Sequence, residues 1–212
     1  MRALSFILFI VASQSTFLQN DELGIGVVSW IDLADRKIIF YEDTIERKIM
    51  HEIIFDTKKG YGPYYTALTN NNWLIPTQPI FTDSNGTPVN LDLFCLQQKG
   101  DWCCVKINPK ENLWIHRSEN AVYSRWDTYL KSRFCIRRIS SENRVYKSND
   151  TLSGSINSKK YDCVHVIEVR DYWLKVKPFM NEHGEMIDKD DGSFGWIQWR
   201  NKDSLLINYY DN

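Results

Sequence analysis

The sequence predicts an all-β chain, and three observations carry that expectation. Short runs of β-branched and aromatic residues recur, among them Lys37–Tyr41, Trp102–Ile107, Cys163–Val169 and Trp173–Val176. Turn signals separate them: Asn70-Asn71-Asn72, Ser84-Asn85-Gly86, Lys99-Gly100-Asp101, Asn108-Pro109 and Asp191-Gly192. Long amphipathic helical patterns are scarce. One short helix is expected over Val122–Lys131, where Trp126 and Leu130 share a face at i and i+4. Aromatic residues reach 14% of the 212 residues, with eight Trp and eleven Tyr, side chains that suit half-buried pleated surfaces.

The chain opens MRALSFILFIVASQS. Arg2 supplies a short positive region, Leu4 to Ala12 an apolar run of about nine residues, and Ala12, Ser13 and Ser15 the small residues of a cleavage point. Residues 1–18 are therefore expected to be a secretory signal peptide, and the mature protein to be exported, periplasmic or extracellular. The apolar run is shorter than the roughly 20 residues that span a bilayer. No Cys follows it to carry a lipid, and no later stretch has the length or apolarity of a membrane span.

An internal repeat organises the rest. GDWCCVKI (Gly100–Ile107) is followed by LWIHR (Leu113–Arg117), and DYWLKVK (Asp171–Lys177) by GWIQWR (Gly195–Arg200). Each copy carries W-x-x-V-K, a loop, then W-I, at an offset of roughly 65–80 residues, the size of a small barrel. On a strand, Trp173 and Lys175 share one face, and Leu174 and Val176 the other. The turn Arg170-Asp171-Tyr172 folds Cys163–Val169 back as an antiparallel partner. A five-strand meander of this kind closes into a barrel with few edges.

Hydrophobic strand, G-D-W-x-x-V-K, variable loop and G-W-I together resemble bacterial SH3-like (SH3b) domains. Two copies resemble the tandem SH3-like exported proteins of Bacteroidetes-type bacteria. The match covers Trp73 to Asn212 and is better in the second copy, because Leu113 replaces the Gly before Trp114 in the first. The resemblance implies two small SH3-like barrels in tandem, over 73–139 and 140–212, with a β-rich N-terminal segment over 19–72 as an appendage. It implies binding or targeting, often at cell-wall peptides, and not catalysis. The connector between barrels is expected at Ser140-Ser141-Glu142-Asn143, too short to let them move as independent beads. A cleft at that junction is a further expectation.

Chemistry-bearing motifs are few. The five Cys have no metal-ligand spacing, and their odd number leaves one over. Most read as small buried hydrophobes, and the local disulfide candidate is Cys95 with Cys103 or Cys104. His51, His116, His165 and His183 lie far apart. Cys103 or Cys104 with His116 is the one local nucleophile–base pairing, but those cysteines occupy strand positions equivalent to Leu174 and Lys175. Asp188-Lys189-Asp190-Asp191 lacks the alternating ligands and closing Glu of a calcium loop. No catalytic residue, metal site or cofactor is expected. A net charge of −1 gives no general pull on nucleic acid, so none is expected as a partner.

Aromatic side chains remain as the candidate ligand groove. In SH3-like barrels such grooves are lined by Trp and Tyr, and Tyr172, Trp199, Tyr209 and Tyr210 are the candidates in the second copy. Trp102 and Trp173 are expected in or near the core, with Trp173 burying more area than Trp199. The expected function is an exported binding module for a peptidoglycan peptide or glycan, or for an envelope protein. The rival readings are a structural scaffold of the envelope and a cell-wall hydrolase whose site has no recognisable motif.

Overall fold

The computed structural model describes residues 22–31, 33, 37–55, 73–74, 90–117, 121–156, 161–180, 185–187 and 193–210, with the backbone alone at Ile31, Asn90 and Tyr210. The expected signal peptide, His183, Asp188-Lys189-Asp190-Asp191 and Ser84-Asn85-Gly86 lie outside these residues. The strands are β1 (Gly26–Ile31), β2 (Lys37–Tyr41), β3 (Ile49–Ile54), β4 (Asn90–Lys99), β5 (Trp102–Asn108), β6 (Glu111–His116), β7 (Ala121–Arg125), β8 (Cys135–Arg138), β9 (Cys163–Arg170), β10 (Trp173–Met180), β11 (Gly195–Gln198) and β12 (Ile207–Tyr210). A helix, α1 (Trp126–Lys131), stands between β7 and β8. The chain is all-β, with its strands in two antiparallel sheets.

Strand order exposes the repeat. The first sheet runs β3-β2-β6-β5-β4-β1-β7 and the second β11-β10-β9-β8-β12. Without the β2–β3 hairpin, which adds to β6 through Tyr41 opposite Trp114, the first order becomes β6-β5-β4-β1-β7. That is the second order with each strand replaced by its counterpart. Even the central hairpins agree. Gly100 opens the two-residue turn between Lys99 and Trp102, and Asp171 the turn between Arg170 and Trp173. Both have left-handed backbones, φ 57° and 46°. Glycine takes that conformation freely, and Asp is among the residues that tolerate it.

The N-terminal segment and the boundary between copies differ from the sequence expectation. β1 lies between β4 and β7, and β2–β3 extends the same sheet, so part of 19–72 supplies strands of the first unit rather than an appendage. β8, which the sequence assigns to the end of a barrel over 73–139, pairs with β9 and β12 in the second sheet. The connection between units is α1, not Ser140–Asn143. Helix also begins later than Val122, because Ala121–Arg125 is consumed by pairing with β1. In each case the deciding interaction joins residues distant in sequence, where local pattern carries no information.

Side-chain alternation builds two cores. On β5, Cys103, Val105 and Ile107 point inward, with Trp102, Cys104 and Lys106 on the other face. Val28, Trp30, Phe40, Leu91, Leu93 and Ile115 complete the first core. Leu174, Val176, Val164, Ile197 and Ile207 form the second. In the second unit, Arg200 bridges Leu205 and the Leu206 N–H donates to Trp199 O at 2.8 Å, tying the chain after β11 to the chain before β12. The Asn143 amide holds the β8–β9 loop by donating to Gln198 O at 2.7 Å and Leu206 O at 3.1 Å.

β1 and β4 are buried on both faces. Val28, Trp30, Leu91, Leu93 and Cys95 face the first core, while Val27 and Phe94 belong to the second. Helix α1 covers that back face. Trp126, Tyr129 and Leu130 join Leu23, Val27, Phe94, Trp199 and Tyr209 in one apolar cluster. The Trp126 ring lies 5.6 Å from Phe94 and 5.1 Å from Trp199, and Tyr129 meets Tyr209 edge-on at 5.0 Å. Trp126 Nε1–H donates to Leu23 O and Gly24 O at 3.2 Å each. Gly24 is required there: its φ is 65°, and a Cβ would stand 2.2 Å from Cys95 O.

Tyr129 OH donates to Asp92 Oδ2 at 2.5 Å, so a buried carboxylate on β4 is met by a phenol from the helix. Burial, then the neighbouring Tyr209 and Asp92, push the Tyr129 phenol far above its ordinary range, so it stays protonated as a donor. Tyr129→Phe removes that donor and is expected to cost about 1–3 kcal/mol. Trp126→Ala, which opens the seam, is expected to cost about 3–5 kcal/mol. Urea unfolding of the two variants measures both.

Candidate ligand-binding face

The sequence-predicted groove residues separate into different places. Trp199 is 2% exposed and Tyr209 1%; both are packed into the seam against α1 and line no groove. The reason is strand parity. Trp196 and Trp199 are three residues apart, so they point to opposite faces, and Trp199 falls on the inward one with Ile197. Trp199 Nε1–H donates to Asp171 O at 2.8 Å, which locks the β9–β10 turn onto the core. Tyr172, in that turn, is 46% exposed, with the buried Arg200 guanidinium 5.5 Å from its ring and 5.2 Å from that of Trp199. Tyr210 pairs its backbone with Cys135, and its side chain lies outside the described residues. The structure therefore leaves Tyr172 alone, of the three described, as a surface aromatic.

The outward faces carry a different aromatic set, and it is repeated. In the first unit Trp102 stands opposite His116, and Trp114 opposite Cys104. In the second, Trp173 stands opposite Gln198, and Trp196 opposite Lys175. Trp102 and Trp173 are half-buried at equivalent positions on β5 and β10. Around Trp102 gather Tyr41, edge-on at 5.3 Å, His116 at 4.8 Å, and the Arg47 guanidinium 5.5 Å from the ring centre. Around the second pair gather Tyr146, edge-on to Trp173 at 5.4 Å, and Arg170, 5.5 Å from the Trp196 ring. Lys175 sits 4.9 Å from the ring of Phe194, which is 45% exposed. The first face thus offers the half-buried Trp102 and Trp114 and the second the half-buried Trp173, with Trp196 only 9% exposed, and each face is edged by cations. Such surfaces stack on sugar or peptide planes and attract carboxylates.

W-x-x-V-K alternation put Trp173 and Lys175 on one strand face, but Trp102 and Trp173 read as lying in or near the core, and it is the structure that turns both outward and half-buried. Tyr41 and Tyr146 were not legible on this face either. Tyr41 reaches this face by pairing with Trp114, and Tyr146 by exchanging two backbone hydrogen bonds with Trp196, at 2.8 and 2.9 Å.

The titratable groups elsewhere have structural surroundings. Cys103 points inward and His116 outward, so that pairing straddles the sheet, whereas Cys104 shares the outward face with His116. Burial, followed by the neighbouring Cys103, raises the Cys104 thiol to about 11 and keeps it protonated at neutral pH. His165, tilted against Phe179 at 4.0 Å, is held below its ordinary value by burial and then by Lys177. His51 stacks flat on Trp73 at 4.0 Å. Among the described residues no group of three or more His, Cys, Asp and Glu is placed to hold a metal ion.

One disulfide is present, Cys135–Cys163, with Cα atoms 5.4 Å apart on β8 and β9. Cys95, Cys103 and Cys104 are free thiols, so the pairing differs from the local one that the sequence favours. Sequence spacing hid it because Cys135 reads as the end of the first copy, whereas β8 belongs beside β9 in the second.

No protein-family model matches the chain, and neither does a curated protein or a solved structure.

The burial of Trp199 reverses the expected order of sensitivity. Trp199→Ala is expected to cost about 3–5 kcal/mol and Trp173→Ala less, since Trp173 loses only half-buried area. Thermal melts of both variants decide the order.

Proposed function

We propose that this chain is an exported, non-enzymatic binding module made of two SH3-like barrels. In this reading its outward Trp faces recognise a cell-wall peptide or glycan, or an envelope protein. One observation carries the reading. The same two tryptophan positions recur in the same strand register in both units, and one of them, Trp102 and Trp173, is half-buried and outward in each. A half-buried Trp placed outward contributes less to the core than it could, and repetition of that placement favours use of the face for contact. The shared strand order and the matching positive-φ hairpins support the barrel assignment.

Further features support binding over hydrolysis. Cys103 is separated from His116 by the sheet, and Cys104 is held as the thiol. A net charge of −1 gives no reason to propose nucleic acid as the partner. Among the described residues no helix is long and apolar enough to cross a membrane. A scaffold role in the envelope is the second reading, favoured by the aromatic filling of the seam where a ligand cleft was expected.

Co-sedimentation with purified peptidoglycan sacculi, alongside pull-down from solubilised envelope proteins, tests the reading. Wild type is expected to enter the sacculus pellet or to retain an envelope protein. The folded double variant Trp102→Ala/Trp173→Ala is expected to lose about tenfold or more of that binding, as loss of two aromatic contacts at the centre of a contact surface would. Undiminished binding by the folded double variant would remove these faces from the account. Absence of any bound partner would favour the scaffold.

A further inference from the structure

Side chains that neither core needs, yet both units keep, point to what the outward faces meet. Lys99 stands across the hairpin turn from Trp102, and Arg170 across the equivalent turn from Trp173; both cations are exposed. Further along the same strand faces come Lys106 and Lys177. A Tyr meets each Trp in the same pose, Tyr41 to Trp102 at 5.3 Å and 85°, Tyr146 to Trp173 at 5.4 Å and 86°.

The charge on these faces is lopsided. β9 and β10 carry Arg170, Lys175 and Lys177 outward against one acid, Glu168, which pairs with Arg170. In the first unit Lys106 is met by Glu22 at 2.8 Å, and the β2–β3 turn adds Arg47. Arg47 has φ 55°, a left-handed backbone that long side chains seldom take, and its guanidinium stands 5.5 Å from the Trp102 ring centre. The acids of that turn are engaged elsewhere. Glu42 pairs with Lys48 at 2.7 Å, Glu46 also acts on Lys48, and Asp43 accepts from the Ile45 and Glu46 N–H groups at 2.6 and 2.7 Å.

We propose that each outward face takes an acidic peptide segment of a partner protein, with Arg47 and Arg170 receiving its carboxylates beside Trp102 and Trp173. The inference rests on the binding reading above and narrows it to one ligand chemistry. A guanidinium offers a carboxylate two parallel N–H donors. The adjoining Trp and Tyr rings give the methylenes of a Glu side chain a flat apolar seat. Arg170 exchanges Glu168 for the incoming carboxylate, and an exposed pair of this kind costs little to break. A peptide fits better than a carboxylated glycan. The edge-on Tyr, joined on Trp102 by Arg47, makes each Trp one wall of a corner instead of the open platform on which a sugar ring stacks.

Fluorescence anisotropy with the full-length chain tests this, using a labelled synthetic Glu–Gly peptide, its Gln–Gly counterpart, and oligogalacturonate as competitor. Wild type is expected to bind the Glu–Gly peptide, more weakly as salt is raised, and not the Gln–Gly peptide. The folded variant Arg47→Gln/Arg170→Gln is expected to lose about tenfold. Lys110→Gln/Lys131→Gln, which removes the same charge from exposed positions elsewhere, is expected to bind as wild type. No binding of the Glu–Gly peptide, or equal losses in the two double variants, would overturn the acidic class. Stronger competition by oligogalacturonate than by unlabelled peptide would overturn the peptide. The sacculus and envelope assays separate this from the binding reading. A partner held there through Trp102 and Trp173, yet undiminished in Arg47→Gln/Arg170→Gln, would refute the acidic class and leave the binding faces standing.

Discussion

Trp126 and Tyr129 stand one helical turn apart on a helix of six residues, and the relation between the two sheets depends on what they touch. Trp126 meets Phe94 from the first unit and Trp199 from the second, and its indole N–H satisfies the carbonyls of Leu23 and Gly24. Tyr129 meets Tyr209 with its ring and Asp92 with its hydroxyl. A helix this short has little stability of its own, so its conformation is held by these contacts. The contacts in turn require β1 and β4 to be apolar on both faces. Val27 and Phe94 supply the second face, and Asp92 is accommodated there by the phenol. Each unit alone would leave large aromatic surface in water.

The alternation of β strands divides labour between the two faces of each unit. Inward residues of β5 and β10 make the cores, and outward ones make surfaces edged with Arg and Lys. Because the seam engages Trp199 and Tyr209 but neither Trp102 nor Trp173, core packing and the outward faces draw on separate side chains. A substitution on an outward face can therefore alter contact with a partner while leaving the seam intact. The β2–β3 hairpin breaks the equivalence, since it places Tyr41 and Arg47 against Trp102. The second unit uses Tyr146 for that role instead.

The parts of the fold legible in the sequence were those fixed by nearest neighbours. W-x-x-V-K alternation put Trp173 and Lys175 on one face and Leu174 and Val176 on the other, and the turn residues located the β4–β5 and β9–β10 hairpins, but Trp102 and Trp173 read as core residues and stand outward instead. Pairing between distant segments was not legible. β1 contains no repeat motif, yet it pairs with both β4 and β7. Arg200 and Leu205 tie Trp199 to a core that its neighbours in sequence do not announce. Of the groove proposed from aromatic content, Tyr172 alone reaches the surface among the described side chains. Aromatic content reports that flat side chains are present, but parity and long-range register decide which way they face.

Through the contacts of Trp126 and Tyr129, α1 joins the two sheets, and the chain is expected to unfold as a single cooperative body. Differential scanning calorimetry of the full-length chain tests it most directly, because two-state unfolding makes the calorimetric and van't Hoff enthalpies equal. One endotherm is expected, with a ratio of the two enthalpies close to one. Two resolved endotherms, or a van't Hoff enthalpy near half the calorimetric one, would mean that the units unfold separately and would contradict it.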